Sequence, residues 1–83
     1  MVILLQLNEA VSQRLKELLC EQDMTNYQLY KASGVHKSTI GNVINHSYDS
    51  VKLRVIYEIC QGLRISLRDF FDSPLFYDNN LDP

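Results

Sequence analysis

Lys37, Ser38 and Asn42 each carry a hydrogen-bond donor, and all fall opposite Ile40, Val43 and Ile44 if Lys37 to Asn45 coils as a helix. Lysine can donate to O6 and N7 of guanine, asparagine can pair with N6 and N7 of adenine, and serine accepts several arrangements. His36, immediately before them, adds a further polar group. An ordinary solvated helix face would use the same residue types. What sets these apart is their place just after a turn centred on Gly34.

Other chemistries have less to work with. Catalysis needs a nucleophile, a base and oxyanion donors that converge, and neither a serine-histidine-acid arrangement nor a phosphate-cradling glycine loop is present, so the chain is not expected to be an enzyme. Cys20 and Cys60 belong to no CxxC pair and are expected as buried core thiols on apolar helix faces. With His36 and His46 they match no zinc-finger order or separation. No metal, cofactor or small-molecule ligand is expected. Tyr27, Tyr48, Tyr57 and Tyr77 read as partial core or surface, since no sheet signal accompanies them as it would in a stacking platform for single strands.

The elements that must position these residues are helices. A chain of 83 residues has room for one core, and 46% apolar with 22% charged residues is the balance of a folded domain. Three glycines and two prolines leave few breakers. Asn8 to Gln22 has helical spacing at Val11, Leu15, Leu18, Leu19 and Gln22, with Asn8 as the expected cap. Thr25 and Gln28 fit a capping box that opens a second helix, ended near Ser33 by Gly34. Lys37 to Asn45 is the third. Asn45 to Ser50 is a polar turn in which Asn and His tolerate positive φ, and Ser50 is the expected cap of a fourth helix with Leu53, Ile56, Ile59, Cys60 and Leu63 on its apolar stripe. Ser66 caps a short fifth helix carrying Leu67, Phe70 and Phe71, closed by Pro74. The partition is an apolar segment 1–7 that reads equally as strand, helix extension or subunit contact, a domain 8–73, and a tail 74–83 whose apolar start docks and whose acidic end frays.

Two helices joined by a tight glycine turn can push one of them into the major groove of DNA. The segments MTNYQLYKASGVHKSTIGNVIN and ICQGLRISLRDFF resemble the helix-turn-helix proteins of the phage repressor and Cro type, the xenobiotic-response-element family. The resemblance covers most of residues 9 to 72. It is carried by Thr25, Leu29, Gly34, Val35, Ser38, Thr39, Ile40, Ile44 and Asn45, then by Ile59, Leu63, Ile65, Ser66, Leu67 and Phe70. It implies an all-α, compact five-helix bundle like the lambda-repressor DNA-binding domain, with Lys37 to Asn45 as recognition helix. Lys37, Ser38, Asn42 and His36 are then the candidates for base-edge contact. The resemblance also implies phosphate contacts at Asn26 and Asn45 and a backbone or minor-groove contact at Lys52, and Thr25, which supports the first turn of helix two, is counted with the phosphate contacts.

The net charge of −2 runs against DNA binding until its distribution is examined. Residues 31 to 54 hold Lys31, Lys37, Lys52 and Arg54 against Asp49 alone, a net of +3, while residues 1 to 30 carry −2 and residues 55 to 83 carry −3. So few cations imply modest affinity per copy, and hence a homodimer on two half-sites of an operator, joined through Val2 to Leu7 or the aromatic residues near Phe71 and Phe76.

Departures from the family are Tyr30 where alanine is usual, Gly41 inside the recognition helix, His46 and Arg64 in place of glycines, and Tyr48-Asp49-Ser50 without basic residues. The expected function is a sequence-specific transcriptional regulator, a repressor in the first instance. The alternative is a protein-interaction module of the same fold, an antitoxin, antirepressor or adaptor. The longest apolar run, Val2 to Leu5, is too short to span a membrane, and the expected location is cytoplasmic.

Overall fold

Glu9 decides where the first helix starts. In the computed structural model, which describes residues 4–82, the Glu9 carboxylate accepts from the Gln6 amide at 3.3 Å, and α1 runs Leu7–Glu21 with Gln6 as its cap. Asn8, expected as the cap, lies inside the helix. Its side-chain amide donates instead to the carbonyls of His46 and Tyr48, at 3.4 and 2.8 Å. Of the N-terminal apolar segment, residues 1–3 lie outside the described residues, and Leu7 extends the helix.

The helix-turn-helix forms as its signals predict. Thr25 Oγ1 accepts from the Gln28 amide at 3.1 Å and Gln28 Oε1 accepts from the Thr25 amide at 2.8 Å, opening α2 (Asn26–Ser33). Gly34, at φ 75°, ends it in the left-handed region that a glycine enters without strain. The next helix, α3 (Lys37–Ile44), has Asn45 as its C-terminal cap. His46 then takes φ 42°, the positive backbone angle anticipated for this turn.

Ser50 does not cap the fourth helix. Val51 packs against the core, Lys52 stays extended behind it, and α4 begins only at Leu53, running Leu53–Leu63. Leu53 falls off the expected stripe and is 66% exposed, because the buried side of α4 is made by Ile56, Ile59, Cys60, Gly62 and Leu63. Arg64 accepts the left-handed conformation at φ 60°. Ser66 then caps α5 (Leu67–Phe71), its hydroxyl accepting from the Asp69 amide at 3.0 Å.

Leu15, Leu29, Ile40, Ile59, Leu63 and Phe70 are the large side chains sealed at the centre. Around them, α1 does more than bury an apolar face. Ser12, itself buried, donates to the carbonyl of Ile44 at the end of α3. Gln22 donates to Leu63 O at 2.8 Å at the end of α4. Arg14 donates to Phe70 O at 2.7 Å and Asp69 O at 2.8 Å at the end of α5. The last carbonyls of a helix have no partner inside it, and α1 together with its C-cap residue Gln22 supplies one to each of these three helices.

The tail folds back instead of fraying. Short 3₁₀ turns form at Pro74–Phe76 and Asp78–Asn80, and Phe76 packs edge-on to Phe71 with centroids 4.9 Å apart. Beyond them Leu5 and Leu81 make a parallel bridge. The Gln6 side chain donates to the Asp82 carboxylate at 2.7 Å, so the acidic end is held through Asp82.

Candidate nucleic-acid interface

The start of α3 is open. His36, its N-cap residue, makes no cap hydrogen bond, and its Nδ1 lies 3.0 Å from Ser38 Oγ. His36, Lys37 and Ser38 are all exposed, as the sequence predicts. Asn42, one turn further on, is half-buried.

Two depressions flank the helix and sort the expected site residues into pairs. One is lined by Asn26, Tyr27, Lys37, Ile40 and Gly41, and so brings the first residue of α2 beside the first residue of α3. The other, a groove of about 280 Å³, brings Asn42 together with Lys52, Thr39, Tyr48, Ser50 and Val51. Asn45 stands exposed at the far end of α3 and lines neither. Thr25 spends its hydroxyl on the cap of α2, which leaves Asn26 exposed at the first helical position.

Electrostatics favour an anion here. α2 and α3, like α4, have no acidic residue in the first turn, whereas α1 has Glu9 and α5 has Asp69 in theirs. The positive ends of α2 and α3 are therefore left uncompensated by the chain itself. Lys37 adds its charge at that end, with Nζ 5.0 Å from the Tyr27 ring centroid and 5.5 Å from that of Tyr30. Tyr30, expected at an edge, is half-buried at the margin of the core, tilted 59° to the exposed Tyr27 ring.

Cys60 is buried as expected, and burial, followed by the nearby Asp69 charge, pushes its thiol up to about 11. Cys20 is exposed, which corrects the expectation of a second core thiol. It sits on the outward side of α1, one residue past the buried Leu18 and Leu19.

Four further residues matter to the site: Asn8 and Tyr27, to which the sequence assigned other roles, and Ser12 and Gly62, to which it assigned none. Ser12 had a signal: it is a polar residue on the apolar side of α1, between Val11 and Leu15. Gly62 had none within its own helix. A methyl group there would lie 2.7 Å from Ser33 Cβ, so this glycine sets how closely α4 approaches α2.

A family model described as the Cro/C1-type helix-turn-helix DNA-binding domain matches residues 14–74. The chain belongs to that Cro/C1-type family. It is accordingly a DNA-binding regulator of transcription and not an enzyme, with double-stranded DNA as its partner. Among solved structures, the prophage Lp1 protein 11 superposes with a TM-score of 0.73 at 29% identity, over 90% of this chain and 95% of that one. A mutant of the restriction-modification controller protein C.Esp1396I gives 0.74 at 24% identity, over 84% of this chain and 87% of that one, a likeness of fold. A comparison with curated protein sequences finds no match. The Cro/C1-type assignment confirms the all-α five-helix architecture anticipated from the sequence. Among the described residues, no helix is long and apolar enough to cross a membrane.

Proposed function

We propose that this Cro/C1-type protein is a sequence-specific repressor that lays α3 in the major groove of its operator. The observation that carries this is the open start of α3, where exposed His36, Lys37 and Ser38 stand at an uncompensated positive helix end. In this reading Lys37, Ser38, Asn42 and His36 face base edges. Asn26, on its cap Thr25, holds a backbone phosphate at the start of α2, while Asn45 and Lys52 take phosphates beyond the other end of α3. The protein acts in the cytoplasm, where its operator is. Repression rests on the resemblance to the phage repressor and Cro type.

Affinity comes from pairing. Each phosphate neutralised contributes roughly −0.9 to the slope of log K against log salt, and four cations between residues 31 and 54 give one copy a weak grip. A homodimer on two half-sites about one helical turn apart compensates. Leu7, Leu53 and Phe71, exposed around one groove, are the surface offered for it. Phe76, considered from the sequence, is occupied by its packing on Phe70 and Phe71.

Fluorescence anisotropy with a panel of duplexes over a salt series tests the reading. Lys37→Ala relaxes preference at one base pair of the preferred duplex if the lysine reads guanine. A uniform loss on every duplex, with the salt slope lower by about 1, moves Lys37 to the phosphates. Absence of binding at low salt by a confirmed dimer ends the operator reading and favours the protein-interaction alternative.

A further inference from the structure

We propose that Tyr27 and Tyr30 are positioning residues for Lys37, fixing where its ammonium meets DNA. The proposal rests on the DNA-binding reading and adds to it a pair of aromatic residues that the resemblance does not supply, since the family usually has alanine at the place of Tyr30. The two rings stand 6.1 Å apart at 59° and form a corner on α2. Lys37 Nζ enters that corner from α3, 5.0 Å from one centroid and 5.5 Å from the other. Both distances lie within the range of about 6 Å in which a ring face attracts a cation.

Lys31 sits at the same rings, at 5.7 and 6.0 Å. Neither lysine takes part in the ion pairs found among the described residues, which join Arg14 to Glu17 and Arg54 to Glu58. Two like charges thus share one aromatic corner, so what keeps Lys37 there is the rings and not a carboxylate. Without them a lysine at the positive end of a helix would swing away from it and sample many rotamers, freedom it would have to give up on binding. The corner instead holds the ammonium on the α2 side of α3, above the depression it shares with Asn26.

The experiment is a double-mutant cycle on duplex affinity. It uses Tyr27→Leu, Lys37→Ala and the combination, with Tyr27→Phe as the conservative variant; Tyr27 is exposed, so these variants leave the core intact. Tyr27→Leu should weaken binding about two- to fivefold, Tyr27→Phe should restore it because the ring face remains, and Tyr27→Leu should cost nothing once Lys37 is gone. In the free protein, the ε-methylene protons of Lys37 should show an upfield ring-current shift that Tyr27→Phe keeps and Tyr27→Leu reduces. An equal loss from Tyr27→Leu with and without Lys37 means that Tyr27 touches DNA itself, and overturns the positioning role. So does an unshifted Lys37 methylene. A parent chain that binds no duplex overturns the DNA reading beneath it, a result separable from these because the parent is measured first.

Discussion

The two ends of α3 are built on opposite principles. At its start, His36 makes no cap hydrogen bond, and Lys37 and Ser38 face solvent. At its end, buried Ser12 takes the Ile44 carbonyl and Asn8 takes the carbonyls of His46 and Tyr48, so α1 grips both the last turn and the loop beyond it. A helix that must be read from outside has to be fixed from somewhere, and here the fixing is concentrated at the end away from Lys37. The glycines repeat the contrast. Gly41 on α3 has nothing within 4 Å of an added methyl, whereas Gly62 on α4 would drive one into Ser33.

The comparison is broken most severely at Gly62. Gly62→Ala should destabilise the domain by about 1–3 kcal/mol through overpacking of α4 on α2, seen as a lower thermal midpoint. Ser12→Ala leaves a carbonyl at the anchored end without its donor and should cost about 1–2 kcal/mol. Amide exchange should rise first around residues 43–48, and duplex affinity should fall even where the fold is fully populated. If exchange rises evenly over the whole chain instead, Ser12 is only one more core contact. Gly41→Ala sharpens the contrast in the other direction. It should stabilise α3 by up to about 1 kcal/mol, yet weaken duplex binding, because its methyl projects into the depression shared with Asn26 and Lys37. Parallel melting and anisotropy measurements separate the two effects.

The smallest effect concerns the cysteines. Because the folded chain raises the Cys60 thiol from 9.0 to about 11, it holds that proton more tightly than the unfolded chain does. This contribution is complete below pH 9 and declines as pH rises toward 11. The difference in stability between the parent and Cys60→Ala should therefore narrow over that interval. At neutral pH a thiol reagent should titrate Cys20 at once and Cys60 only on unfolding.

Local signals in the sequence were enough for α2 and its boundaries, since Thr25, Gln28 and Gly34 act on their own neighbours through caps and a turn. On α3 periodicity places Lys37 and Ser38 outward correctly, but Asn42, expected beside them, is half-buried in the groove it lines with Lys52 and Tyr48. Failures came where the deciding partner is remote. Asn8 looked like a cap and is a tether to a loop far along the chain. Ser50 looked like a cap and was displaced because Val51 is wanted in the core. Leu53 matched the stripe of α4 and is left exposed because the side of that helix that faces the core is made by Ile56, Ile59, Cys60, Gly62 and Leu63. The docking of the tail depends on a bridge to Leu5 and on aromatic packing with Phe71, neither of which is encoded in the tail's own composition.

The service that α1 performs for three other helices has a consequence for how the domain comes apart. Because Ser12, Gln22 and Arg14 each close a different helix, loosening α1 would fray three termini together. Such an arrangement favours a single cooperative transition over piecemeal opening. The aim of α3 is thus set by a helix that lies outside the helix-turn-helix itself.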